Sequence, residues 1–137
     1  MRFVSQRITI INIRKPIERN INQELQWLGN SLGLFNLRDK DKSCFRIFIE
    51  LIKSAKQKRP MNSDEIAANL NLTRGTVVHH LNKLMDAGIV IHDANNYVLR
   101  VENLSELITE IEKDIERTLN DLKDVAKNID SRLNKIE

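Results

Sequence analysis

The residues best suited to chemistry lie in segment 74–85, which has the pattern of a polar helix with one apolar face. Val77, Leu81 and Leu84 are four and three residues apart, so in a helix they lie on the inward face. The opposite side then forms what we name the base-reading face: Arg74, Gly75, Val78, His79 and Asn82. Arg and Asn can form paired hydrogen bonds with base edges, Val can contact a thymine methyl group, and Gly permits close backbone approach. We therefore predict that this helix reads bases in the major groove of duplex DNA.

Hydroxyl and ammonium groups border the base-reading face. Thr73, Thr76 and Lys83 flank it at positions where such groups hold backbone phosphates. A solvated helix face without a partner is the alternative interpretation. The clustering of Arg, Thr, His, Asn and Lys on one side of a short helix favours DNA binding.

The residues before this helix predict a helix-turn-helix. Asn62 and Glu65 have capping-box spacing at the start of a helix that ends at Leu70. Residues 71–73 then form the turn, and Thr73 caps the second helix. In a helix-turn-helix the second helix enters the DNA major groove, which agrees with the chemistry of the base-reading face.

A hairpin predicted after the second helix corresponds to a wing. Two short apolar strands at 89–92 and 97–100 enclose the polar turn 93–96. Asn95 and Asn96 suit this turn, in which left-handed backbone conformations are needed, and they are candidates for DNA contact. The turn lacks the Arg or Lys that usually reaches into a minor groove, so we expect the wing to add a polar contact or none.

The first 40 residues predict an arm followed by an amphipathic helix. Segment 7–14 is rich in β-branched residues and indicates a short strand or an extended arm. Pro16 lies near the first turn of the helix, and Gly33 is a candidate for its C-cap. The helix has one apolar stripe: Ile17, Ile21, Leu25, Leu28 and Leu32. This stripe covers the core of its own domain, a partner subunit, or both.

A charged connector at 36–43 leads into the first core helix, expected at about 42–56. Asp41 is the candidate N-cap of that helix. Its expected buried residues are Phe45, Phe48, Leu51, Ile52 and Ala55. Cys44 is expected to be a small buried hydrophobe.

The last third of the chain predicts a long helix. Residues 103–137 contain no Gly or Pro and repeat an apolar residue every three or four positions. At 1.5 Å per residue the helix is about 50 Å long, which is too long to be buried on a small domain. We predict that it pairs with its twin as a coiled coil. The expected dimerisation residues are Ile108, Ile111, Ile115, Leu119, Leu122, Ala126, Ile129, Leu133 and Ile136. The alternative is that it folds back over the chain's own amino-terminal helix.

Segment 43–101 resembles the winged-helix regulators of the ArsR and MarR type. The resemblance rests on two runs, Thr76-Val77-Val78-His79-His80-Leu81 and Ala87-Gly88-Ile89-Val90. It implies a winged helix-turn-helix, a homodimer, and groove-facing side chains at Val78 and His79. The Cys-x-Cys cluster of the family's metal sensors is missing, and the terminal helix contains no His.

Several function classes find no support in the sequence. It has no Gly-rich phosphate loop, no nucleophile with a positioned base and no metal-ligand set, so we expect neither an enzyme nor a cofactor. His79 and His80 point about 100° apart on a helix, which argues against a shared metal ion. One cysteine excludes an intramolecular disulfide. Without a secretory signal or an apolar run of about 20 residues, we expect a soluble cytoplasmic protein with no membrane partner.

The formal charge of +3 is unevenly distributed along the chain. Residues 1–102 have a net charge of +6, and residues 103–137 have one of −3. The positive charge therefore lies with the segment predicted to bind DNA, as expected for a nucleic-acid footprint.

Together these observations predict a mainly α fold with a small β wing, in which a winged helix-turn-helix domain precedes a long C-terminal coiled-coil helix. The expected divisions are an arm and helix in 1–40, the winged helix-turn-helix in 41–102 and a dimerisation helix in 103–137. The expected function is sequence-specific binding of double-stranded DNA by a homodimeric transcriptional repressor. The alternatives are a winged-helix protein-interaction module and a non-specific nucleic-acid or chromatin binder. A small-molecule effector, which no residue identifies, is left open as a further partner.

Overall fold

Five helices and one hairpin follow one another in the computed structural model of the chain, which describes residues 5–136. The helices are α1 (Ile21–Ser31), α2 (Ser43–Gln57), α3 (Ser63–Leu70), α4 (Arg74–Asp86) and α5 (Leu104–Asn134). The strands are β1 (Val90–Asp93) and β2 (Asn96–Leu99). Helices α2, α3 and α4 pack on one another, β1 packs on α4 and β2 on α2. The predicted fold, a winged helix-turn-helix followed by a long helix, is confirmed.

A mainly aliphatic core holds these elements together. Phe48 of α2 and Ile66 of α3 are fully buried in it. Val77, Leu81 and Leu84 are fully buried as well, which confirms the predicted inward face of α4. Because these three side chains fix the rotation of α4 about its axis, they also determine which of its residues face solvent.

Side-chain caps set the start of both motif helices. The Asn62 side chain accepts a hydrogen bond from the Glu65 backbone N–H at 2.8 Å, and the Glu65 side chain accepts one from the Asn62 N–H at 3.3 Å. This is the predicted capping box. Asn71 ends α3 in the left-handed region with a φ of 55°. Thr73 then caps α4, where its hydroxyl accepts a hydrogen bond from the Thr76 N–H at 3.2 Å.

The hairpin has the predicted position, but its turn differs in detail. Val90 pairs with Leu99 and Asp93 with Asn96, in an antiparallel register. We predicted left-handed backbone at Asn95 and Asn96, whereas the residue with positive φ is Ala94, at 55°. The register leaves Ala94 and Asn95 as the two turn residues, so Asn96 belongs to β2 and adopts strand geometry instead.

The amino-terminal region is an arm followed by a shorter helix than expected. Residues 5–15, which we name the arm, belong to no helix and form no strand. Helix α1 begins at Ile21 rather than near Pro16, because the Asn20 side chain caps it by accepting a hydrogen bond from the Gln23 N–H at 2.8 Å. Gly33 follows the C-cap with a φ of 73°, in agreement with its predicted role.

The apolar stripe of α1 is divided between core and solvent. Leu28 packs against the core and Leu32 is buried in it. Ile17 and Ile21, however, are 94% and 77% exposed. The stripe therefore covers the chain's own core only with its carboxy-terminal half.

The N-cap predicted for α2, Asp41, is wrong, because the N-cap position is Lys42, whose side chain forms no capping hydrogen bond. The Asp39 carboxylate, not that of Asp41, accepts hydrogen bonds from the N–H groups of Ser43 and Cys44, at 2.9 and 3.0 Å. Lys42 has a left-handed φ of 54°, which turns the connector so that Asp39 reaches the helix end. The connector therefore comprises residues 36–42, because α2 begins at Ser43.

Helix α5 leaves the domain after its first turns. Leu107 and Ile111 are buried in the core, so Ile111 is a core residue and does not belong to the predicted dimer stripe. Ile115 is half-buried against the same core. Every described residue from 116 to 136 is exposed, and the alternative in which this helix folds back over α1 is therefore wrong.

Candidate nucleic-acid interface

The base-reading face lies on the solvent side of α4. Arg74, Gly75, His79 and Asn82 are exposed, and Val78 is half-buried. A Cβ atom placed on Gly75 would have no other atom within 4 Å, so the backbone at this position is open to close approach. The five residues thus form a continuous exposed strip along α4, as the helical spacing predicted.

Arg74 is free to change partners when a ligand arrives. Its Nε atom lies 3.5 Å from Asp64 Oδ1, but both side chains are 73% exposed. An ion pair so open to water contributes little to stability. The guanidinium can therefore exchange this carboxylate for a phosphate or a guanine edge at low cost.

The hydroxyl groups of the two threonines at the start of α4 differ in their hydrogen bonds. The Thr73 hydroxyl accepts from the Thr76 N–H and lies 2.9 Å from the Thr76 hydroxyl, to which it donates. Thr73 is thus occupied by the cap, whereas the hydroxyl proton of Thr76 is available to an acceptor such as a phosphate. Lys83 is exposed on the same border of the helix.

The adjacent histidines of α4 lie in opposite environments. His79 is exposed, while His80 is 8% exposed at the edge of the core. His80 Nε2 lies 3.8 Å from Asp39 Oδ2. Burial lowers the pKa of His80. The negative charge of Asp39 raises this pKa, but by less than burial lowers it. His80 is therefore a neutral packing residue at pH 7, and only His79 is presented to a ligand.

The metal-ligating side chains and the thiol of the described residues can be placed relative to this site. Within residues 5–136, no three His, Cys, Asp or Glu side chains are grouped so that they could hold a metal ion. Cys44 is buried, and burial raises the pKa of its thiol to about 11, so it is an inert core residue. In the same part of the chain, no helix is long and apolar enough to cross a membrane.

The structure brings most of the predicted DNA-binding residues together but separates two of them. Eight belong to α4 or its cap: Thr73, Arg74, Gly75, Thr76, Val78, His79, Asn82 and Lys83. Asn95 and Asn96 lie on the hairpin instead, where Asn95 is exposed and Asn96 is half-buried. The flat faces of His92 and Tyr97 stack beside them with ring centroids 4.4 Å apart. The hairpin turn is therefore a second, smaller candidate contact.

A buried polar cluster behind α4 joins four parts of the chain, and our sequence analysis missed it. The Asp114 carboxylate accepts hydrogen bonds from Arg100 at 2.5 and 3.1 Å and from Gln6 at 2.8 Å. Arg117 pairs with the same carboxylate from the next turn of α5. Gln6 also donates to the carbonyl of Ala87, the C-cap of α4, at 3.3 Å. The cluster ties the arm, the end of the hairpin and α5 to the carboxy-terminal end of α4.

The Asp114–Arg100 pair is withdrawn from water. The two side chains are 1% and 6% exposed. Burial alone would raise the pKa of Asp114, but the hydrogen bonds and charges of Arg100, with help from Gln6 and Arg117, hold it below its ordinary value of 3.8. Asp114 lies three residues after the buried Ile111, so helical spacing could have placed it on the inward face. An acidic residue, however, is ordinarily taken as exposed.

Comparison with known proteins agrees with this geometry. The family model described as bacterial regulatory protein, arsR family, matches residues 50–92, a segment that begins in α2 and includes α3, α4 and most of β1. No curated protein and no solved structure matches the chain significantly. The matched family is one of regulators rather than enzymes. The chain thus contains a winged helix-turn-helix that is similar to that of the arsR family, and this similarity supports a DNA-binding transcriptional regulator.

Proposed function

We propose that the protein is a homodimeric repressor that binds double-stranded DNA in a sequence-specific manner, with α4 in the major groove. The observation that carries this proposal is the base-reading face: Arg74, Gly75, His79 and Asn82 are all exposed on the motif's second helix. Their side chains are of the types that distinguish base pairs in a major groove. In the proposed division, residues 1–40 support the domain, 41–102 bind DNA and 103–137 dimerise.

The exposed length of α5 supports the homodimer. Leu119, Leu122, Ile129 and Leu133 are each about half exposed, and they follow one another at heptad spacing. An exposed apolar stripe of this kind is typical of a surface that binds a partner. A second copy of α5 has the matching pattern, and a dimer would present two α4 helices to half-sites about one DNA turn apart.

Loss of base contacts should weaken binding without unfolding the protein. We expect Arg74→Ala and His79→Ala each to weaken binding to a specific duplex by about fivefold or more, because a good base contact contributes about 1–3 kcal/mol. The measurement is a gel-shift titration with a specific and an unrelated duplex. Lys127→Ala on the distal part of α5 is the control and should bind like the wild type. If both α4 variants kept the affinity and the specificity of the wild type, α4 would not be the reading helix.

A protein-interaction module is the second candidate function, and the absence of a basic residue from the hairpin turn favours it. Residues 93–96 contain no Arg or Lys, and the whole chain carries only +3. Salt dependence separates the two functions. Binding to duplex DNA falls steeply with rising salt when several phosphates are engaged, whereas an interaction module has no such affinity. A general chromatin binder would show the salt dependence but little preference among sequences.

A further inference from the structure

Two segments outside the helix-turn-helix lie along one side of α4. The connector and α4 enclose a groove of about 650 Å³, lined by Arg38 and Lys40 on one wall and by Gly75, Thr76 and His79 on the other. The arm and α4 enclose a second groove of about 430 Å³, in which Arg7 faces the part of α4 around Asn82 and Lys83. Both grooves include His79 and Lys83, so the two segments follow the same border of the helix.

Hydrogen bonds hold the arm against α4. The Arg7 backbone N–H donates to the carbonyl of Asp86, the last residue of α4, at 2.9 Å. Its neighbour Gln6 is bound to Ala87 and to the buried Asp114. The position of Arg7 beside α4 is therefore set by the backbone, and its side chain is left exposed to solvent.

The connector is held in place by its own acidic residue. Asp39 caps α2 through two backbone N–H groups and lies beside His80 of α4. This fixes the neighbouring Arg38 and Lys40, whose side chains remain exposed. In the described part of the chain, no ion pair engages Arg7, Arg38 or Lys40.

The charge on the two sides of α4 differs. The α3 side begins with Asp64 and Glu65, the acids in the first turn of that helix. On the side of the arm and the connector, Arg7, Arg38, Lys40 and Lys83 outnumber the exposed acids Asp41 and Asp86. Asp39 is on this side too, but its carboxylate is already bound by the α2 cap. On the α3 side the acids thus offset the charge of Arg74, whereas the cations on the side of the arm and the connector exceed the exposed acids.

We infer that Arg7, Arg38 and Lys40 bind the phosphate backbone along one edge of the major groove that α4 enters. The inference rests on the proposed function and extends it beyond the helix-turn-helix and the wing. A major groove is about 12 Å wide, so a helix inside it has a phosphate strand on either side. Segments packed against the border of α4 meet that strand, and exposed guanidinium and ammonium groups are its natural partners. The arm and the connector therefore fix the orientation of α4 on the duplex.

The test compares Arg7→Gln and the double variant Arg38→Gln/Lys40→Gln with the wild type. Gln keeps most of each side chain's length and leaves the backbone bond of the arm intact. Lys127→Gln, on the distal exposed part of α5, removes the same charge far from α4 and is the matched control. Binding is measured by fluorescence anisotropy, over a series of salt concentrations, with a specific duplex and an unrelated one.

A phosphate role has a defined signature. We expect the two variants to bind both duplexes more weakly by a similar factor, about threefold or more per side chain at low salt. The slope of log K against log salt should become shallower by about 1 for each removed contact. The control should match the wild type. Unchanged slopes and affinities in both variants would overturn the inference, and so would a loss confined to the specific duplex, which would indicate base contacts. Wild-type protein that binds no duplex would contradict the proposed function itself.

Discussion

Replacement of Asp114 by alanine is expected to lower the free energy of unfolding by about 3–5 kcal/mol, the usual cost of removing one partner from a buried ion pair. The reason is that Arg100 is 6% exposed and would lose its closest carboxylate, while the partly exposed carboxylate of Glu110, 3.7 Å away, offsets its charge less well. Gln6 would also lose its partner, so the arm would be held less firmly against α4. Urea unfolding followed by circular dichroism measures the change.

Two further variants distinguish the loss of the buried ion pair from the loss of any acidic residue on α5. Glu112→Ala changes an exposed acid two residues away on α5, and we expect a change within about 0.5 kcal/mol. The double variant Arg100→Leu/Asp114→Leu replaces both charges by apolar groups and should cost less than Asp114→Ala, because no unpaired charge stays buried. A loss in Asp114→Ala no greater than that in Glu112→Ala would contradict the role assigned to the cluster.

The effect of Asp114→Ala should depend on pH in a defined direction. Because the pKa of Asp114 is lower in the folded protein than in the unfolded chain, its ionised form stabilises the fold at all pH values above about 4. This contribution is lost as the pH falls through the lowered pKa. The difference in stability between wild type and variant should therefore be constant near neutral pH and shrink below pH 4.

The second large effect concerns the exposed part of α5. The double variant Leu122→Asp/Ile129→Asp should be monomeric, because two carboxylates would face their counterparts across the apolar seam of the proposed coiled coil. Its affinity for a two-half-site duplex should fall by about two orders of magnitude or more, since the two α4 helices would no longer bind as one unit. Sedimentation equilibrium and the gel-shift titration measure the two changes.

A matched control adds the same charges to the outer side of the helix. Asn120→Asp/Ser131→Asp introduces two carboxylates at exposed positions outside the heptad seam and should leave both the dimer and the DNA affinity unchanged. The fold of the domain should survive in both variants, because residues 116 to 136 make no part of the core. A Leu122→Asp/Ile129→Asp protein that sediments as an unaltered dimer would place the interface elsewhere, with the exposed Ile17 and Ile21 near α1 as the next candidates.

The helix-turn-helix could be predicted in detail because its signals are local. The capping box at Asn62 and Glu65 and the apolar spacing of Val77, Leu81 and Leu84 each involve residues within two turns. These signals determine where the helices begin and which side of α4 is inward. The exposure of the base-reading face follows from them directly. Its binding to DNA is still a proposal.

The features that could not be predicted depend on contacts between distant segments. Asp39 and Asp41 are both good caps by residue type, and the left-handed turn at Lys42 selects Asp39. From the sequence alone, Asp114 is indistinguishable from the exposed acids of α5. Its partners Arg100 and Gln6 lie 14 and 108 residues away along the chain. The division of the α5 stripe between core and solvent depends likewise on where the domain ends.

Selection of binding sites from a random pool of duplex DNA by the wild-type protein is the most direct test of the central claim. If the protein is a homodimer that reads sequence through α4, the enriched duplexes should share an inverted repeat. The half-site centres should lie about 10 base pairs apart or at a multiple of that spacing, as two-fold symmetry requires. A pool that emerges from repeated rounds with no common sequence, under salt conditions in which the protein still binds DNA, would contradict sequence-specific recognition.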